Sequence, residues 1–209
     1  MILSILAATP IVGAIVLALM PRGTATGRHL PAKVVALGVS LVTLVLSFVV
    51  LAQYDVDDGG YQLTSTHEWI SAFGAHYSVG VNGIALTLVL LTTILVPIVI
   101  LASLEDRLPD PRGINAYLAW MLAVEGLAIG AFMATDAFLF YVLFEATLIP
   151  LYFLIGTFGG PHRSYAAVKF LIYNLVGGLL MLGAIVGLYV VSSRQGDASY
   201  LLTDLQDLD

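Results

Sequence analysis

Two carboxylates stand where charged side chains are rare. Glu125 lies in the apolar run MLAVEGLAIG and Glu145 in LFYVLFEATLIP. An acid surrounded by hydrocarbon costs a few kcal/mol at least, so such residues face a bundle interior or a hydrated path and often mark an ion route. Burial favours the protonated form of a carboxyl, and an approaching cation favours the ionised form. A buried acid with a movable cationic partner can therefore take up and release a proton. Lys169, early in a later apolar run, is the candidate partner. It reads either as an internal cation exchanging charge through water or as a lysine whose amine snorkels to the interface. For the acids, the competing reading is a neutral, hydrogen-bonded pair that only helps helices pack.

The elements that must position these residues follow from composition. The chain has 209 residues, 59% hydrophobic and 11% charged, with a mean hydropathy of +0.98. A soluble domain carries roughly 25% charged residues, so lipid is the solvent this sequence suits. Six apolar runs are long enough to span it: 2–20, 32–53, 84–104, 117–135, 137–158 and 166–191. Strand-like alternation is lacking in these runs, and backbone amides in hydrocarbon must be satisfied internally, so the spans are helices. The predicted fold is an all-α, polytopic transmembrane bundle forming one membrane domain over 1–209.

Basic residues fall in every second loop: Arg22, Arg28 and Lys33, then Arg107 and Arg112, then Arg163 with Lys169 just beyond. The positive-inside rule makes that side cytoplasmic and places both termini outside. The opposite side carries Asp55, Asp57, Asp58 and Glu68, and later Asp197, Asp204, Asp207 and Asp209. Between the second and third spans, Tyr54–Gly83 is the one long extramembrane stretch. Trp69, Phe73 and Tyr77 suit a segment at the lipid–water boundary. His67 and His76, nine residues apart with no further ligands, read as interfacial rather than metal-binding.

Spans four and five meet at Thr135–Asp136, so they are antiparallel neighbours. Glu125 precedes Thr135 by ten residues and Glu145 follows Asp136 by nine. At 1.5 Å per residue both lie about 14–15 Å from the turn, near the midplane of a ~30 Å core. Helix rotation, which spacing does not fix, decides whether they face each other. The same arithmetic puts Lys169 roughly 10 Å from the level of Glu145. Pro150 and Pro97 remove the helical donors of the Ala146 and Thr93 carbonyls and can kink their spans near the acids. Thr92 and Thr93 are placed to compensate in span three. Gly177 and Gly178, with Gly183 and Gly187, form a small-residue face suited to close helix packing.

Several chemistries find no support. The formal charge of −6 argues against a nucleic-acid partner, and zero cysteines exclude disulfides and thiolate metal sites. No phosphate-binding glycine loop, dinucleotide fingerprint or HExxH occurs. His29, His67, His76 and His162 all fall outside the spans, so midplane haem ligation is missing. No redox active site, cofactor or metal is expected in this chain.

Three segments carry a resemblance. GVNGIALTLVLLTTILVPIVILAS (80–103), FLFYVLFEATLIPLYFLIGTFGG (138–160) and AAVKFLIYNLVGGLLML (166–182) are similar to subunit M of bacterial NADH–quinone oxidoreductase, respiratory complex I. The similarity covers nearly the whole chain. It implies an antiporter-like membrane subunit that translocates protons through buried Glu and Lys residues. Electron transfer would occur elsewhere, with NAD, FMN, iron–sulfur clusters and quinone in other subunits. The chain would count as part of an enzyme only through that assembly. The family's fifth-helix glutamate falls on Glu145, its fourth-helix glutamate on Glu125 and its sixth-helix lysine on Lys169. The implied partners are other membrane subunits, the lipid bilayer and protons, in a bacterial inner membrane. The alternative is a subunit of an Mrp-type cation/proton antiporter. One motif departs: the GVDGIS-like pattern before span three reads Gly80-Val81-Asn82-Gly83-Ile84-Ala85 here, so an acid and a hydroxyl are lost. Family members also continue beyond a sixth span into a second inverted repeat. The resemblance therefore implies an N-terminal portion of a longer subunit, holding at most half of a proton pathway.

Overall fold

The computed structural model describes residues 1–20, 30–70, 74–103, 113–195 and 199–206. Arg22, Arg28, His29, Phe73, Arg107, Arg112, Asp197, Asp207 and Asp209, on which part of the sidedness argument rests, lie outside the described residues. Six long helices are present: α1 (Ile2–Leu19), α2 (Leu30–Gln53), α3 (Gly83–Ala102), α4 (Ile114–Met133), α5 (Ala137–Phe158) and α6 (Arg163–Gln195). All six are apolar and long enough to cross a membrane.

The boundaries differ from expectation where capping chemistry, not apolarity, sets them. Helix α3 starts at Gly83 because the Asn82 side chain accepts from the Ala85 amide at 2.8 Å, a side-chain N-cap. Helix α4 begins at Ile114 rather than 117 and stops at Met133 rather than 135, because Ala134 turns extended. Helix α6 runs from Arg163 to Gln195, 33 residues instead of the predicted 166–191. At 1.5 Å per residue it is about 50 Å long and overreaches a ~30 Å core.

The larger correction concerns the all-α class. The stretch after α2 contains an antiparallel hairpin, β1 (Gln62–Ile70) and β2 (Ala75–Val81), with His67 opposite Tyr77 and Glu68 opposite His76. Its residues are largely β-branched, aromatic or hydroxylic, the composition that suits a half-buried strand. Strand β2 is the inner one, with Ala75, Val79 and Val81 buried.

This hairpin, the α4–α5 turn and a short C-terminal helix α7 (Leu202–Gln206) are laced together at one end of the bundle. The Thr135 amide donates to the Ser78 carbonyl (2.9 Å) and the Ala137 amide to the Tyr200 carbonyl (2.8 Å). The Leu202 amide returns to the Thr135 carbonyl at 2.9 Å. Asp136, fully buried, accepts from the amides of Leu139 (2.9 Å), as the N-cap of α5, and of His76 (3.0 Å). Burial first, and then its neighbours Tyr189 and Asp136, push the Tyr200 hydroxyl above its ordinary range, so it stays protonated at neutral pH. Leu3 and Leu6 of α1 pack in the same cluster as Val79 and Val81, so both ends of the described chain lie on the hairpin side.

Helices α1 to α4 form the compact part. A Cβ at Gly126 would lie 2.8 Å from the Ala7 carbonyl oxygen, and one at Gly13 would lie 2.6 Å from Val39. Gly126 thus marks a close backbone approach between α4 and α1, and Gly13 makes room for the Val39 side chain of α2, as small residues do between membrane helices. The core divides into two apolar clusters. One, at the hairpin end, joins Leu3, Leu6, Val50, Val89 and Ile129; the other joins Ala14, Leu17, Ala36, Ile100 and Leu122. Helices α5 and α6 are added beside this unit, and much of α6 is exposed.

Candidate functional site

Glu125 belongs to α4 and is completely buried. It follows Leu122 by three residues and precedes Ile129 by four, so the three share one helix face. Leu122 sits in one apolar cluster and Ile129 in the other, so the carboxyl lies between them, on the face turned to α1, α2 and α3. Neither of its oxygens has a hydrogen-bond partner among the described residues. A buried carboxyl without a partner is costly.

Glu145 belongs to α5 and is half-buried; its Oε1 is buried and also unpartnered among the described residues. It points to α6, where it packs on Gly178 so closely that a Cβ there would overlap Oε1 and lie 2.6 Å from Cδ. Gly178 therefore makes the space that the Glu145 side chain fills. In the sequence this glycine reads only as one of a packing face, because nothing local pairs it with an acid 33 residues earlier.

The two acids lie at a similar depth but do not face each other. Trp120 stacks on Phe153 with centroids 4.8 Å apart, and Gly130 meets Leu143, which fixes the α4–α5 register. Glu125 is then level with Leu148, three residues or about 4.5 Å from Glu145. Trp120 and Tyr117 mark the face of α4 that meets α5, and Glu125 lies on the opposite face. One carboxyl opens towards α1–α3 and the other towards α6.

Lys169 is not brought to either acid. Gly156 opposes Ala167 and Glu145 opposes Gly178, setting the α5–α6 register. Lys169 is nine residues from Gly178, about 13–14 Å along the axis and half a turn round the helix. It is thus farther than the 10 Å estimate and on the other face. There its Nζ lies 5.9 Å from the Tyr165 ring centroid and 5.8 Å from that of Tyr173, exposed and held between two aromatic faces.

Pro97 and Pro150 are both buried. The threonines of α3 do not serve the carbonyl that Pro97 frees: Thr92 donates to the Leu88 carbonyl and Thr93 contacts that of Leu90. Among the described residues no group of three His, Asp or Glu could hold a metal ion. His67 contacts Ser65, while His76 Nδ1 is buried in the hairpin.

The family described as NADH:quinone oxidoreductase/Mrp antiporter, TM, matches residues 134–205. NADH-quinone oxidoreductase subunit M of Mycobacterium tuberculosis is 43% identical over 225 residues, covering 95% of this chain. The chain is similar to subunit M over nearly all of its own length. It spans about 40% of the length of that relative. A chain of respiratory complex I from Thermus thermophilus superposes with a TM-score of 0.80 at 26% identity, over 99% of this chain and 39% of that one. A chain of the Mrp complex from Dietzia shares the fold, with a TM-score of 0.74 at 20% identity, over 98% of this chain and 21% of that one. These relatives are named as subunits of an NADH-quinone oxidoreductase, and the six apolar helices are those of a multi-pass membrane protein.

Proposed function

We propose that the chain is the N-terminal portion of a proton-translocating membrane subunit of an NADH–quinone oxidoreductase, with Glu145 as its central proton-carrying group. The observation that carries this reading is a mid-span carboxyl, unpartnered at Oε1 and seated against a glycine on α6. The reading gives Glu125 a second protonatable position at nearly the same depth. Lys169 serves as a cation on the far face of α6, presented to a further part of the subunit rather than to Glu145. The hairpin end, where both ends of the described chain lie, is the outer side, because Lys33, Arg163 and Lys169 cluster at the other end.

In this function a redox reaction in other subunits changes the charge near α6. Glu145 then loses or gains a proton as that charge moves, since an opposite charge within a few ångströms favours the carboxylate. NAD, FMN, iron–sulfur clusters and quinone belong to those other subunits. The family description also covers Mrp antiporters, which gives the second reading: a cation/proton antiporter subunit with no redox partner. Affinity purification of the tagged full-length subunit from its own membranes separates the two. Recovery of flavin- and iron–sulfur-containing subunits with NADH-dependent quinone reduction is the expected result. Recovery of membrane subunits alone, with no flavin, would overturn the complex I assignment.

A further inference from the structure

Between the two apolar clusters of the α1–α4 bundle lies a layer with no buried Ala, Val, Leu, Ile or Met among the described residues. Its buried positions are Pro10 and Gly13 on α1; Ser40, Thr43 and Ser47 on α2; Thr93 and Pro97 on α3; and Glu125 and Gly126 on α4. Above and below, the buried side chains of these helices are apolar apart from Ser103 at the end of α3 and Asn115 at the start of α4. Four helices thus turn polar, or lose a backbone donor, at one common depth.

The hydroxyls at this depth are not saturated. Ser47 and Thr93 bridge α2 and α3 at 2.8 Å. Each also approaches a carbonyl of its own helix, Leu44 at 2.8 Å and Leu90 at 3.1 Å. Two hydroxyl protons cannot serve three contacts; whenever the hydroxyls bond each other the pair has two orientations, each leaving one carbonyl without that donor. Pro10 and Pro97 deprive the carbonyls of Leu6 and Thr93 of their helical donors as well. Within the same layer both oxygens of Glu125 lack any protein partner among the described residues.

We propose that this layer is an internal-water site that links Glu125 to the Ser47–Thr93 pair, so that the proton partner of Glu125 lies on α2 and α3 rather than on α5. Water is retained in a protein where two to four polar groups converge, and the carboxyl, the hydroxyl pair and the freed Thr93 carbonyl supply them. The pair's two orientations let it accept a proton-bearing contact from one side and donate on the other. Glu125 becomes the inner end of a branch through the α1–α4 bundle, separate from the Glu145–α6 side. The inference deepens the proton-translocation reading and rests on it for its role, though not for the hydrogen bond itself.

The test uses the full-length subunit assembled in its native complex. Redox-induced infrared difference spectra give the carboxyl C=O band of Glu125, identified as the band lost in Glu125→Gln. Ser47→Ala combined with Thr93→Val is expected to move that band to higher frequency, as hydrogen bonding is lost, and to slow translocation about tenfold or more. Thr93→Ser, which keeps the hydroxyl, is expected to leave the band in place. A Glu125 band unmoved by Thr93→Val and by the double variant, or no Glu125-dependent band at all, overturns the proposal. A moved band with unchanged translocation leaves the water link standing and removes its place in the proton path. Normal translocation by Glu145→Gln would instead fault the Glu145 reading while leaving this band shift untouched.

Discussion

Replacing Gly178 by alanine isolates the positioning of Glu145 from the stability of the bundle. The added Cβ would overlap Oε1 and sit 2.6 Å from Cδ, whereas ordinary contact begins at 3.4 Å. The carboxyl carbon must therefore retreat by about 1 Å. Because the displaced atoms end a flexible side chain, an off-rotamer turn of about 0.5–1.5 kcal/mol suffices. Helix α6 meanwhile gains about 1 kcal/mol from exchanging glycine for alanine. The two changes nearly cancel, so assembly and melting temperature should match the wild type. Function should not, since a misplacement of about 1 Å at a reacting group can cost on the order of 100-fold. The assay is proton translocation by the assembled complex in vesicles, normalised to its quinone-reductase activity and to subunit content. Glu145→Asp, one methylene shorter, should recover part of the loss when combined with Gly178→Ala, giving a non-additive double-mutant cycle. Translocation at the wild-type rate in Gly178→Ala, or strictly additive losses in the double variant, would refute the reasoning.

Two further predictions concern what holds the site in place. Asp136→Ala removes an N-cap, worth about 1 kcal/mol, and leaves the buried His76 amide unsatisfied at a further ~1–3 kcal/mol. Amide exchange of the His76 region should quicken and the melting temperature fall, with the Glu125 region little changed. Gly126→Ala drives a Cβ to 2.8 Å from the Ala7 carbonyl oxygen and 2.5 Å from Ile11. Backbone cannot yield as a glutamate does, so overpacking of about 1–3 kcal/mol is expected, seen as a lower melting temperature of the full-length subunit.

Much of this architecture is legible in the sequence because lipid imposes one strong rule on every span. The six runs, the antiparallel α4–α5 pair and the shared depth of Glu125 and Glu145 all follow from length and apolarity. Rotation about each helix axis does not follow, because spans that are apolar on nearly every side carry almost no amphipathic signal. That is why the opposite headings of the two acids, and Lys169's place half a turn from Gly178, emerge only from packing. The Tyr54–Gly83 stretch reads as an interfacial segment from its aromatics. Its strands pair with each other, and the inner one is tied through the His76 amide to Asp136, a residue the sequence offers merely as a turn. Gly178 and the Ser47–Thr93 pair are silent for a related reason. A glycine or a hydroxyl in a membrane helix is common, and only its partner across the bundle gives it a purpose.

The central claim is that the Glu145 carboxyl carries a proton during turnover. It is tested most directly by Glu145→Gln, which keeps shape and hydrogen bonding but cannot ionise. Protons moved per electron should fall in the assembled complex, while subunit content stays at the wild-type level. An unchanged ratio in a fully assembled Glu145→Gln complex would contradict the account.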